Sequence, residues 1–169
     1  MGASGWSYYV PYQADVNKAL QDLRQKVFEE GDYYKAWEPA DIENEFVTAY
    51  YEKFKSEGSE PEEPQTIEEL IELAATEGTH SIIDMEGVFL EALPKGEEGE
   101  FGTVYPLSAE DLLELFGTDK PTRETIELVE KEDPGLLLEY TPAPQTGIYI
   151  TFYNGDRPDG YFFSGYSGD

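Results

Sequence analysis

Apolar residues in this chain repeat with helical spacing in some segments and with the alternation of strands in others. The clearest helical segment covers residues 15–30, where one face carries Val16, Leu20, Leu23 and Val27. Asp15 is a typical N-cap residue, and Gly31 suits the left-handed position that follows a last helical turn. We therefore expect a helix that begins after Asp15 and ends before Gly31.

Further helices are predicted downstream, with starts at Pro39, Thr66, Ser108 and Pro121. Thr66 opens a capping box, in which its hydroxyl accepts from the amide three residues on while Glu69 reaches back. Glycines at the ends of these patterns are expected to terminate the first three of these helices, at Gly58, Gly78 and Gly117. The last two helices are expected to form a pair.

Short aromatic or β-branched runs bounded by glycine, proline or asparagine predict strands. They cover residues 6–10, 80–85, 102–105, 136–140, 148–153 and 161–165. Turn residues at 154–160 separate the last two runs, which are expected to form an antiparallel hairpin. Strands and helices do not alternate strictly, and no repeat is present. The pattern predicts one α+β domain over residues 1–169, a mainly antiparallel sheet flanked by about four to five helices.

Charge changes this picture from a generic domain to an acidic one. The chain has 37 Asp and Glu residues against 11 Lys and Arg, which gives a formal net charge of −26. Such a field repels phosphate backbones and anionic lipid, so direct binding to nucleic acid or to a membrane is not expected. Residues 57–77 contain eight glutamates and no basic residue, and the part at about 57–65 is expected to be a mobile loop.

This acidic segment provides the sharpest hypothesis for an interaction. Its carboxylates would steer a basic protein towards the surface and raise the association rate. The predicted partner-binding residues are Glu57, Glu60, Glu62, Glu63, Glu68, Glu69 and Glu72. The alternative is a solvated loop and helix face that only keeps the protein soluble, and this simpler interpretation is favoured for a charge run.

Motifs for common catalytic sites are missing. The chain has no cysteine, and therefore no disulfide, thiolate metal site or cysteine nucleophile. It also lacks a phosphate-binding glycine loop, a zinc-protease motif and a nucleophile elbow. The sequence therefore predicts no cofactor and no metal site, and it favours a binding protein over an enzyme. With no basic and apolar leader and no apolar run near ~20 residues, a cytoplasmic location is expected.

Four residues are candidates for a small pocket: Trp6, Tyr8, His80 and Asp84. Alternation along a strand puts Trp6 and Tyr8 on one face, and it also allows His80 and Asp84 to share a face. Such a grouping would bring a phenol, an imidazole and a carboxylate together. The simpler interpretation gives His80, the one histidine in the chain, a structural or surface role.

Several segments form recognisable short motifs. They are GWSYYVPY from Gly5, SIIDM from Ser81, LFGT from Leu115 followed by PTR from Pro121, and FSGYSGD from Phe163. Together they resemble a group of small uncharacterised bacterial proteins. The resemblance implies a bacterial cytoplasmic setting and a single intact domain, and it implies no activity, catalytic residue, cofactor or substrate.

Three hypotheses for function follow. The leading one is a non-enzymatic acidic binding protein that engages a basic partner protein, as an immunity-type inhibitor of a basic toxin or a mimic of nucleic-acid charge. The second is a small enzyme that depends on carboxylates and tyrosines. The third is a homodimeric structural or regulatory subunit that pairs through the aromatic C-terminal hairpin, which carries little charge.

Overall fold

The computed structural model describes residues 4–35, 63–74 and 78–167 of the chain. The strands there are β1 (Ser4–Pro11), β2 (Gly87–Val88), β3 (Thr103–Pro106), β4 (Gly147–Asn154) and β5 (Arg157–Ser167). The helices there are α1 (Val16–Glu30), α2 (Ile67–Ala74), α3 (Ala109–Phe116) and α4 (Arg123–Glu132), together with the short 3₁₀ helices Ile82–Asp84 and Leu136–Tyr140. The helix predicted from Pro39 and most of the loop predicted at 57–65 lie outside the described residues.

The strands form one sheet in the order β1-β5-β4-β3-β2. β1 and β4 both pair antiparallel with β5, whereas β3 pairs parallel with β4 and β2 pairs parallel with β3. The predicted α+β class is confirmed, and the sheet is mixed rather than purely antiparallel, with its two long ladders antiparallel and its two short ladders parallel. The chain runs from β3 to β4 through α3 and α4, and such a long helical crossover can bring it back in the same direction.

The predicted hairpin at the end of the chain is confirmed. β4 and β5 are joined by a tight turn of Gly155 and Asp156, across which Asn154 pairs with Arg157. Gly155 has φ of 62°, a left-handed conformation that glycine adopts without steric cost.

Local capping signals lie at the described helix ends where they were predicted, whereas residues 75–77, before the end predicted at Gly78, lie outside the described residues. The Asp15 carboxylate accepts hydrogen bonds from two amides of the first turn of α1, and Gly31 ends the helix with φ of 68°. At α2, the Glu69 N–H donates to Thr66 Oγ1 at 3.2 Å, and the Glu69 carboxylate accepts from the Gln65 N–H at 2.7 Å. α3 and α4 are capped by the hydroxyls of the residues just before them.

The strand predicted at residues 80–85 is wrong. The segment contains the first 3₁₀ helix, whose N-terminus is capped by the Ser81 hydroxyl. His80 has φ of 52°, which turns the chain out of the extended conformation. Ile82 and Ile83 are adjacent and both 0% exposed, although a strand would send them to opposite faces. A short apolar run fits either a strand or a buried helical turn, so the sequence pattern did not distinguish them.

The strand predicted at residues 136–140 is also wrong. This segment is the second 3₁₀ helix, in which the Leu138 N–H donates to the Gly135 carbonyl and the Thr141 N–H donates to the Leu138 carbonyl. The preceding Asp-Pro-Gly turn supports these local bonds, and they replace a strand ladder.

Apolar side chains form a layer on each face of the sheet. On one face, α1, α2 and the first 3₁₀ helix bury Leu20, Leu70, Ile83 and Phe163 with the sheet. On the other face, α4 and the second 3₁₀ helix bury Ile126, Leu137, Ile150 and Phe162. β1 contributes to both layers, because Trp6 packs into the first and Tyr9 packs against the second. None of the described helices combines the length and the apolar character needed to span a bilayer.

Candidate functional site

The structure places part of the predicted acidic surface on α2. Glu57, Glu60 and Glu62 lie outside the described residues. Glu63 and the three α2 glutamates, Glu68, Glu69 and Glu72, are all exposed. α2 buries Leu70 and Ala74 on its other side and carries no basic residue, so its outer face is uniformly acidic. Leu73 is 40% exposed beside these carboxylates and adds apolar area to the same face.

Many of the basic side chains are neutralised by close carboxylates. Lys26 lies 3.8 Å from Glu30, and Arg123 donates to Glu127 at 2.7 Å, both within a single helix. Three further pairs join Lys18 to Asp22, Lys95 to Asp111 and Lys120 to Asp156. These exposed pairs each contribute little to stability, and each positive charge is balanced locally by its own carboxylate.

Three of the four predicted pocket residues line one cleft beside β1. Trp6, Tyr8 and His80 meet there with Asp32 and Tyr34, from the segment after α1, around a volume of about 390 Å³. We call this the histidine cleft. Asp84, the fourth predicted residue, does not line it. The cleft therefore combines aromatic walls with one carboxylate at the end of α1.

His80 connects the start of β1 to the segment after α1. Its Nδ1 lies 3.1 Å from Ser4 Oγ, and its ring stacks on Tyr34 with the ring centres 4.7 Å apart. The Tyr34 N–H also donates to the Thr79 carbonyl at 2.8 Å. His80 thus helps to form the wall of the cleft.

Asp84 stabilises the turn that carries His80. Its carboxylate accepts from the Thr79 N–H at 2.8 Å and 3.1 Å, one distance for each oxygen. Gly78 has φ of 72°, and a Cβ there would lie 3.0 Å from the Asp84 carboxylate. A glycine is therefore needed for the close approach of this carboxylate to the turn.

Tyr8 keeps its proton in the histidine cleft. Burial, followed by the negative charge of Asp32, raises the pKa of Tyr8 to about 12. At neutral pH the Tyr8 hydroxyl is therefore protonated, and it can donate a hydrogen bond but not remove a proton from a ligand.

A second cleft lies on the opposite face of β1. It has a volume of about 250 Å³ and is lined by Ser7, Glu130, Leu137, Leu138 and Ser164. We call it the glutamate cleft. Its outer wall comes from α4 and the second 3₁₀ helix, which pack on the sheet face opposite α1. Gly5, Trp6 and Ser7 line both clefts, so the two openings flank the same stretch of β1.

Glu130, which lines the glutamate cleft, is held in place by a tyrosine outside the lining. The Tyr9 hydroxyl donates to Glu130 Oε2 at 2.6 Å, and the Arg123 guanidinium lies 4.5 Å from the centre of the Tyr9 ring. Burial and this hydrogen bond raise the pKa of Tyr9 above its ordinary value, so the Tyr9 hydroxyl keeps its proton and is the donor. The sequence does not predict this cluster, because Tyr9 and Glu130 are 121 positions apart and no local motif links them.

Trp6 fills the space between β1 and the interior of the sheet. It is 6% exposed, and its buried indole N–H makes no hydrogen bond within the described part of the chain. A Cβ on Gly165 would lie 2.5 Å from the Trp6 ring, and one on Gly147 would lie 2.7 Å from it. Both positions therefore exclude a side chain.

Among the described residues, no group of three or more His, Cys, Asp or Glu side chains is placed to hold a metal ion. Comparisons with family models, curated proteins and solved structures gave no match to this chain. The charge of the surface and the geometry around β1 are therefore the features that bear on function.

Proposed function

We propose that this chain is a non-enzymatic acidic binding protein that engages a basic partner protein in the cytoplasm. A partner whose own basic surface normally binds nucleic acid fits this charge, as does a basic toxin that an immunity-type inhibitor would neutralise. The observation that carries the proposal is the unneutralised acidic surface. The formal net charge is −26, and five of the basic residues are already paired with carboxylates.

The outer face of α2 is the best-defined part of this surface. It offers three exposed glutamates within two helical turns and one half-exposed leucine, Leu73. Complementary charge speeds encounter, and a central apolar contact slows dissociation once water is excluded.

The test is the salt dependence of binding to a defined basic probe, a lysine- and arginine-rich peptide, measured by surface plasmon resonance. We expect the association rate to fall steeply as chloride rises from about 50 to about 500 mM, because the Debye length shrinks. A Glu63→Gln, Glu68→Gln and Glu72→Gln triple variant should bind more slowly and with a shallower salt slope. Glu69 is left intact because it caps α2.

The matched control is a triple variant with the same loss of charge in the exposed loop between β2 and β3, Glu97→Gln, Glu98→Gln and Glu100→Gln. It should retain most of the association rate if α2 forms the docking surface. Binding that ignores ionic strength would contradict the proposal, and equal losses in the two variants would contradict the role of α2.

A second candidate, a small enzyme, is favoured by one observation, the meeting of Trp6, Tyr8 and His80 in a single cleft. Two features count against it. Tyr8 is held protonated by its surroundings, and the Asp84 carboxylate is engaged by the Thr79 amide. These groups are better suited to shaping a binding cleft than to proton transfer.

The third candidate, a homodimer formed through the C-terminal hairpin, needs a different surface from the one predicted. β4 and β5 lie inside the sheet, with β3 and β1 as their outer neighbours. Their backbone groups are therefore used within the sheet, and its edges are β1 and β2.

A further inference from the structure

We propose that the outer edge of β1 is a strand-addition site for an extended basic segment of the partner protein. This inference rests on the proposed function and adds to the acidic face of α2 a second contact, which would hold one extended segment of the same partner. Three observations support it: an exposed strand edge, a cleft on each side of that edge, and a carboxylate in each cleft.

β1 is an edge strand of the sheet. Among the described strands it pairs only with β5, in an unbroken antiparallel register from Ser4 to Pro11. Just beyond the strand, the Tyr12 N–H donates to the Asp159 carbonyl at 3.0 Å, so even-numbered residues direct their N–H and C=O groups towards β5. Gly5, Ser7 and Tyr9 must then direct theirs outwards.

This edge is accessible over the length that a short peptide needs. Gly5 and Ser7 are both exposed, and the described residues make no backbone hydrogen bond to the outward groups of β1. Pro11 falls at an outward position and has no N–H, so it limits addition to the stretch before it. The opposite edge, β2, is two residues long and offers far less.

The two clefts are placed to receive the side chains of an added strand. Successive residues of a strand point to opposite faces, so two neighbouring residues beside Ser7 would enter the histidine cleft and the glutamate cleft. Backbone hydrogen bonds would provide affinity, and the clefts would select the side chains.

Both clefts favour a basic side chain. Asp32 lines the histidine cleft together with Tyr34, and Glu130 lines the glutamate cleft together with Leu137 and Leu138. Aromatic and aliphatic walls accommodate the stem of a lysine or arginine, while its charged end reaches the carboxylate. A segment with two adjacent basic residues therefore fits best.

The probe is a fluorescently labelled peptide of seven residues, with threonine and valine around a central Lys-Arg pair, bound to the full chain and followed by anisotropy. Two control peptides separate the contribution of the backbone hydrogen bonds from that of the basic side chains. One is N-methylated on the amides that would face β1 and keeps its charge, and the other has Gln-Gln in place of Lys-Arg. We expect each control to bind at least roughly tenfold more weakly than the probe.

On the protein side, Ser7→Pro removes one outward N–H without affecting the ladder to β5, and Ser7→Ala retains that N–H. We expect Ser7→Pro to weaken peptide binding roughly tenfold and to weaken it more than Ser7→Ala, which loses the same hydroxyl and keeps the N–H. Circular dichroism confirms that both variants fold. If Ser7→Pro does not fold, the N-methylated peptide decides the question on the unaltered protein.

Equal binding of the basic peptide and its N-methylated form would overturn the β1 site and leave the proposed acidic binding function standing. If the Gln-Gln peptide bound as tightly as the Lys-Arg peptide, the partner would not need to be basic and the proposed function would be overturned. Strand addition to β1 would still stand. A dimer in light scattering that Ser7→Pro abolishes, with no peptide bound, would overturn the proposal in favour of a second copy of this chain.

Discussion

Tyrosine is the residue type whose pKa this fold changes most. Burial raises the pKa of Tyr8 to about 12 and that of Tyr161 to about 12, from an ordinary value of 10.0. The Tyr161 hydroxyl donates to the Gln13 carbonyl at 2.7 Å, and the Tyr9 hydroxyl donates to Glu130. Each of these contacts requires a protonated phenol, so the fold depends on the tyrosines remaining neutral.

This dependence predicts a loss of stability in alkali. Because the folded state raises the pKa of Tyr8, it retains a proton that the unfolded chain releases above a pH of about 10. The stabilising effect is fully present below that pH and is lost as the pH rises towards 12. Urea unfolding at several pH values above 8 should show a falling free energy of unfolding, with a shallower decline in Tyr8→Phe. An identical pH slope in the two proteins would contradict the argument.

At the scale of secondary-structure elements, residues close together in the sequence predict where helices begin and end. Structure that depends on contacts between distant residues is not predicted by the sequence pattern. The end of α1 at Gly31 and the start of α2 after Thr66 were predicted correctly, because a cap is formed by residues within one turn. The run containing Ile82 and Ile83 was assigned to a strand, because its helical nature depends on burial from α1 and the sheet.

The sequence pattern does not predict which strands pair with each other, for a related reason. The parallel register of Val104 with Gly147 requires the chain between them to cross over, and the residues of β3 do not encode that path. The sequence did suggest that Trp6, Tyr8 and His80 belong to one pocket. It did not suggest Glu130, which reaches Tyr9 through the packing of α4.

The capping of α1 gives a prediction at this scale. Asp15 accepts from the Asn17 N–H at 2.9 Å and from the Lys18 N–H at 3.2 Å. Asp15→Ala should lower the free energy of unfolding by about 1 kcal/mol, because these amides lose their acceptor. Asp15→Asn removes the same negative charge and keeps an acceptor, so it should cost only a few tenths of that amount. Equal losses in urea unfolding would assign the effect to charge rather than to capping.

At the scale of the whole molecule, the negative net charge lowers the stability of the fold as well as attracting a basic partner. A net charge of −26 on a chain of 169 residues makes the compact state repel itself. The same field that would attract a basic partner therefore reduces the stability of the free protein. Binding a basic partner relieves this repulsion, so the partner should stabilise the fold beyond its direct contacts.

Added salt should mimic part of that relief. We expect the melting temperature to rise with sodium chloride, most steeply at low ionic strength, where the Debye length falls from about 30 Å at 0.01 M to about 8 Å at 0.15 M. Differential scanning calorimetry across this range measures the effect. A melting temperature that does not change below 0.15 M would show that self-repulsion is negligible in the folded state.

The register between β1 and β5 also determines how the protein responds to a pulling force. Ser4 faces Ser167, so β1 starts at the corner of the sheet where β5 ends. A force that pulls these two points apart acts on the ladder one rung at a time, like a zipper, instead of shearing all the rungs together. Anchored through both points, the protein would yield at low force, and β1 would peel away before the rest of the sheet.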